Sequence, residues 1–145
     1  MAGVELMPKE YGCVVFVLVL YCFLNFWMAS QVGRARKKYK VFYPTMYVTE
    51  AENRDATIFN CVQRGHQNSL EMMPMFFMLM ILGGIRHPVI CASLGVAYSV
   101  SRICYFRGYS TGDPQKCLSF GKYGFLAVLG LMMCAISCGV HLLTA

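Results

Sequence analysis

The stretch that decides the fold is Tyr11–Gly33, YGCVVFVLVLYCFLNFWMASQVG, followed at once by Arg34–Lys40, RARKKYK. The first part carries no charge and exceeds the roughly 20 residues needed to cross a hydrocarbon core as a helix. The second is a basic run placed where a cytoplasmic anchor belongs, at the lipid–water boundary. Tyr123–Ala145 is a second uncharged stretch of the same kind. Between them lie two shorter ones, Met72–Ile85 and His87–Ser101, which span only if flanking polar residues continue the helix into the interface. A re-entrant hairpin is the alternative for that pair. Gly83-Gly84-Ile85-Arg86-His87-Pro88 supplies the turn, with glycines to end one helix and proline to start the next. The expectation is an all-α membrane protein, a four-helix transmembrane bundle over residues 1–145 as one domain. Its helices are expected at about 11–33, 59–84, 87–107 and 121–144.

Composition agrees. Of 145 residues, 57% are hydrophobic and 14% charged, against about 25% charged in soluble domains. Mean hydropathy is +0.50. A chain of this size would struggle to bury so much apolar surface in water. The net charge of +6 suits nucleic acid or an anionic membrane face. More than half of the Lys and Arg fall between Arg34 and Arg64, beside a span, so a membrane face is favoured and no nucleic-acid partner is expected. The 8 cysteines sit mostly inside apolar runs, with no Cys-x-x-Cys, and read as reduced packing residues. The first apolar run lacks a small-residue cleavage site and is expected to be retained. The loops 33–64 and 107–122 hold the basic residues, which predicts both on the cytoplasmic side and both termini opposite. Tyr39, Phe42, Tyr43, Tyr47, Tyr105, Phe106 and Tyr109 cluster near those loops, as an interfacial belt would.

Polar residues are scarce and patterned. Arg64, Asn68 and Glu71 stand at i, i+4 and i+7, one face of a helix at about 100° per residue. Arg102, Tyr105 and Tyr109 stand at i, i+3 and i+7 on the next helix, at matching depth. A charge so close to the apolar span is costly and faces a partner inside the bundle. The set suits a small zwitterionic, peptide-like ligand, with arginine for carboxylates and glutamate for an ammonium. An internal Arg64–Glu71–Arg102 network that merely joins helices explains the same spacing. His66, His87 and His141 are scattered, so no metal is expected. No Gly-rich phosphate loop or Ser/His/Asp set is present.

Several segments together resemble one known family. They are Lys9-Glu10-Tyr11-Gly12, Ala35–Val41, Phe59–Arg64, His66–Glu71 and Gly108–Pro114. In this order the chain resembles the membrane-associated proteins in eicosanoid and glutathione metabolism, closest to the type 3 branch of microsomal glutathione transferases. The resemblance implies a trimeric four-helix bundle that binds glutathione as co-substrate between subunits near the cytosolic face, without a metal. Arg64, Asn68, Glu71, Tyr105 and Tyr109 would contact glutathione from one subunit, and Arg36 and His66 from its neighbour. Two positions depart from the leukotriene-forming synthase of the family. Met72 stands where that synthase has a tyrosine, and Lys116 where it has a thiolate-holding arginine. Lys116 is the expected thiolate stabiliser, with Arg102 in reserve. The implied activity is conjugation of glutathione to a lipophilic electrophile such as the leukotriene A-type epoxide, or reduction of a lipid hydroperoxide. The implied residence is the endoplasmic reticulum or outer mitochondrial membrane. A non-catalytic, lipid-presenting role like that of the lipoxygenase-activating member is the alternative.

Overall fold

The computed structural model describes residues 7–145, apart from the side chains of residues 114 and 116–120. Four helices account for most of it: α1 Tyr11–Tyr39, α2 Ala56–Arg86, α3 Pro88–Ser110 and α4 Pro114–Thr144. All four include a segment long and apolar enough to cross a membrane, in α4 Gly121–Thr144. There is no strand among the described residues. The chain is thus a multi-pass, all-helical membrane protein.

The helices outrun the apolar stretches. α1 continues through the basic run to Tyr39, because Arg36, Lys37 and Lys38 in its last turn face the negative end of the helix dipole. Lys40 then closes it in the left-handed conformation, φ 56°, its amide bonded to the Arg36 carbonyl. α4 begins well before the apolar segment, at Pro114. Asp113 caps it by accepting a hydrogen bond from the Gln115 amide at 3.0 Å. Only His87 separates α2 from α3.

Gly83 and Gly84 do not end α2; both are buried and helical. A Cβ on Gly83 would lie 3.0 Å from Cys91 Sγ and from Cys134 Cβ, and one on Gly84 2.9 Å from Val14. These glycines let α2 approach α1, α3 and α4 closely, as small residues do between membrane helices. α2 also runs on through Pro74.

α2 and α3 form the centre. α1 packs on both from one flank and α4 from the other. Val14, Tyr21, Phe76, Met80, Tyr98 and Leu131 fill the middle, with the Phe76 and Tyr98 rings stacked at 4.3 Å. A second cluster of Met28, Phe59, Val62 and Phe106 closes the basic end. The outer surface is apolar too, with Phe16, Phe23, Phe125 and Leu142 exposed, as lipid-facing positions require.

Candidate functional site

The two polar stripes lie at the same end of the bundle. Gly65 abuts Phe106 and Tyr109, and Gly121 abuts Tyr105. This brings α2, α3 and the start of the apolar part of α4 together around Arg102.

Arg102 is 7% exposed. Its Nη2 donates to Asn68 Oδ1 at 2.7 Å and to Ser69 Oγ at 2.9 Å, and its Nε donates to Ser69 Oγ at 3.2 Å. Ser69 in turn donates to the Gly65 carbonyl at 3.2 Å. The guanidinium lies 4.2 Å over the Tyr105 ring. All these partners are neutral; no carboxylate reaches Arg102 among the described residues. A buried cation with only neutral acceptors has given up hydration without gaining an opposite charge.

Beside it a cleft of about 350 Å³ opens between α2, α3 and α4, lined in part by Asn68, Met72, Tyr98, Arg102, Tyr105 and Lys122. Its size falls within the range of small-molecule sites. Tyr109 stands next to Tyr105, ring centroids 5.6 Å apart. Asn68, Tyr105 and Tyr109, all expected at the site, are thus gathered near Arg102.

Arg64 and Glu71 sit further out on the same α2 face, about half exposed, and pair with each other at 3.0 Å. Tyr47 of the α1–α2 loop lies close to Arg64 as well. The single network Arg64–Glu71–Arg102 is not formed. It separates into an outer ion pair and an inner guanidinium held by an amide and a hydroxyl.

Arg36 and His66 lie on the other side of α2. Arg36 is buried against its own loop, donating to the Thr45 carbonyl at 2.7 Å and to Gln63 Oε1 at 3.4 Å, with Tyr43 stacked 4.3 Å away. His66 Nε2 pairs with Asn25 Oδ1 of α1 at 3.2 Å. Neither lines the cleft of its own chain. Lys116 belongs to the first turns of α4, but its side chain lies outside the described residues.

Sequence reasoning missed Ser69 and Lys122. Ser69 is adjacent to Asn68, and its i−4 bond to Gly65 gives no signal in spacing. Lys122, last in the 107–122 loop by charge counting, is on α4 and lines the cleft. No group of His, Cys, Asp or Glu that could hold a metal occurs among the described residues.

Comparison with known proteins follows the same segments. The family model described as "MAPEG family" matches residues 14–137. "Microsomal glutathione S-transferase 2" of Homo sapiens is 36% identical over 108 residues, 73% of this chain and 69% of its own length. The Bos taurus protein of that name is 34% identical over 109 residues, 72% and 70% of the two chains. That of Mus musculus is 33% identical over 131 residues, 87% and 84%. These relatives bear the type 2 name, and they establish the family rather than the type 3 branch. With nearly the whole bundle matched, the helices and both polar stripes included, this chain belongs to the MAPEG family.

Proposed function

We propose that this chain is a membrane-bound glutathione transferase, acting in the endoplasmic reticulum or outer mitochondrial membrane with its site toward the cytosol. The observation that carries the reading is Arg102, a buried guanidinium with neutral partners at the wall of a cleft. Such a group favours an anion, and glutathione offers a thiolate. The unperturbed cysteine thiol has a pKa of about 8.5, and each unit of lowering takes about 1.4 kcal/mol of thiolate stabilisation. A desolvated guanidinium supplies that more readily than a solvated one. Lys116 is the second proposed cation for the sulfur.

The outer pair takes the rest of the tripeptide. Arg64 and Glu71 satisfy each other when the site is empty, and an exposed pair of this kind is worth only about 0–1 kcal/mol. A zwitterion can replace it at little cost, carboxylate on Arg64 and ammonium on Glu71, with Asn68, Tyr105 and Tyr109 bonding the amides. Arg36 and His66, turned away from the cleft of their own chain, would serve the glutathione of a neighbouring subunit in a homotrimer.

In conjugation the thiolate forms a carbon–sulfur bond with the lipid electrophile. For the leukotriene A-type epoxide the ring carbon–oxygen bond breaks, and the oxygen takes a proton from solvent in place of the one the thiol lost. With a lipid hydroperoxide, two thiols become a disulfide while the substrate is reduced to an alcohol and water. Both lipids arrive from the bilayer, so binding at the interface supplies proximity.

The test is an ultraviolet difference spectrum on adding glutathione to the purified protein, with turnover of the epoxide and of a hydroperoxide in parallel. A thiolate band that disappears in Arg102→Gln supports the reading. No band and no turnover would favour the lipid-presenting role instead. Lys116→Ala and Lys116→Arg, assayed on both substrates, measure the share of the second cation.

A further inference from the structure

The flank opposite the glutathione cleft carries a second patterned surface. On α1, Leu20, Leu24, Trp27, Gln31, Arg34 and Lys38 recur at three- and four-residue spacing and form one stripe. On α3, Val96, Val100, Ile103 and Arg107 do the same. The two helices run parallel and pack together. Both stripes turn from apolar to basic toward the same end of the bundle.

Between them lie two hollows that meet. The deeper, about 410 Å³, is apolar and is lined by Leu20, Phe23, Val100 and Ile103, with Trp27 and Arg107 at its upper edge. The upper, about 390 Å³, begins at the same Trp27 and Arg107 and is lined beyond them by Arg34, Lys38, Ser110 and Thr111. Arg107 sits 5.9 Å over the Trp27 ring, which in turn packs edge-on against Phe106 at 5.4 Å. Arg34, Lys38 and Arg107 are exposed, and no carboxylate pairs with any of them among the described residues.

We propose that this flank binds an anionic phospholipid. Its phosphate lies among Arg34, Lys38 and Arg107, and one acyl chain lies in the groove below Trp27. Charge and depth both select this occupant. From Leu20 to Trp27 a helix rises about 10 Å, a large part of the ~15 Å depth of one leaflet. An acyl chain has no polar groups to satisfy there, whereas an extended polypeptide would. A second copy of this chain, inserted with the same orientation, would bring its own basic end to the same height, cation against cation. An anionic headgroup instead meets hydroxyls and cations, and Trp27 marks the boundary where indoles settle.

The experiment is native mass spectrometry of the full-length protein in detergent, with three probes: dioleoyl-phosphatidylserine, dioleoyl-phosphatidylcholine and glycerophosphoserine. Basic residues near an anionic surface each contribute measurably, so phosphatidylserine should be retained about tenfold or more over phosphatidylcholine. The triple variant R34A/K38A/R107A should bring the two lipids level. Val100→Trp fills the groove with the charges intact and should lower retention of both. The triple variant gives up the Lys38 charge at the end of the α1 dipole and the Arg107 contact with Trp27, so a small fall in its thermal transition is expected; single Arg107→Gln gives a milder check, with an intermediate preference. Equal retention of the two lipids by the unmodified chain overturns the proposal. So does a preference that survives the triple variant, or glycerophosphoserine binding as tightly as the lipid, which would mark a plain anion site.

Discussion

Arg102 is held by an amide and a hydroxyl rather than by an acid, and two expectations follow from that. Ser69→Ala removes the acceptor of two guanidinium bonds and leaves buried donors unsatisfied, a loss of about 1–3 kcal/mol in detergent unfolding. Arg102→Gln keeps a polar group but not the charge. Conjugation should fall about a hundredfold, within the usual range for losing one preorganised electrostatic contact. The ascending, acid-side limb of the rate–pH profile should move to higher pH as the thiolate loses its stabiliser, a shift that a purely structural role for Arg102 would not produce. Glu71→Gln should raise KM for glutathione several-fold with little change in kcat, since the ammonium is remote from the reacting sulfur. The stripes themselves were legible from a 100° periodicity. The partners of Arg102 were not, because spacing along α3 does not say which side of α3 turns toward α2.

Among the elements, the glycines separate into those that are packed against and those that are not. Gly84→Val should cost about 1–3 kcal/mol of thermal stability or more, because the space it needs is occupied by Val14 and Tyr11. Gly139 has nothing within 4 Å of a Cβ, and Gly139→Ala should be neutral or stabilising by up to about 1 kcal/mol in the same measurement. The reading of Gly83-Gly84 as a helix stop failed for a physical reason: the same residue type ends helices and lets them touch. The early start of α4 was hidden similarly, since the Asp113 cap precedes a segment too polar to look like a span. In the α1–α2 loop, the Thr49 amide donates to Glu52 Oε2 at 3.1 Å, and this bond holds the exposed carboxyl below its ordinary range. The lowered folded value means the contribution is present above the ordinary carboxylate pKa and is lost as pH falls through the lowered one. The protection of the Thr49 amide, its exchange rate divided into the intrinsic rate at the same pH, should fall on acidification through that window and hold steady above it, and Glu52→Gln should abolish this pH dependence of the protection.

For the whole molecule, the fold class was readable because lipid permits few solutions: apolar stretches of sufficient length must be helices, and four of them make a bundle. Within one chain, Arg36 does not reach the cleft beside Arg102. If that residue serves a neighbour, subunits bearing Arg36→Ala and subunits bearing Glu71→Ala, each weakly active alone, should regain activity when co-assembled. At their interface one cleft receives an intact Arg36 and an intact Glu71 from different chains. Failure to complement, with mixed oligomers demonstrated by tagging, would place both residues in one subunit's site. The single-residue link at His87 has a separate consequence, for biosynthesis. α2 and α3 each hold a segment long enough to span, but a one-residue link gives neither room to settle in the bilayer before the other. α2 and α3 are therefore expected to enter the bilayer as one hairpin with Arg86 at its tip, and the 2.9 Å contact between His87 Nε2 and Ser137 Oγ forms once α4 has joined them.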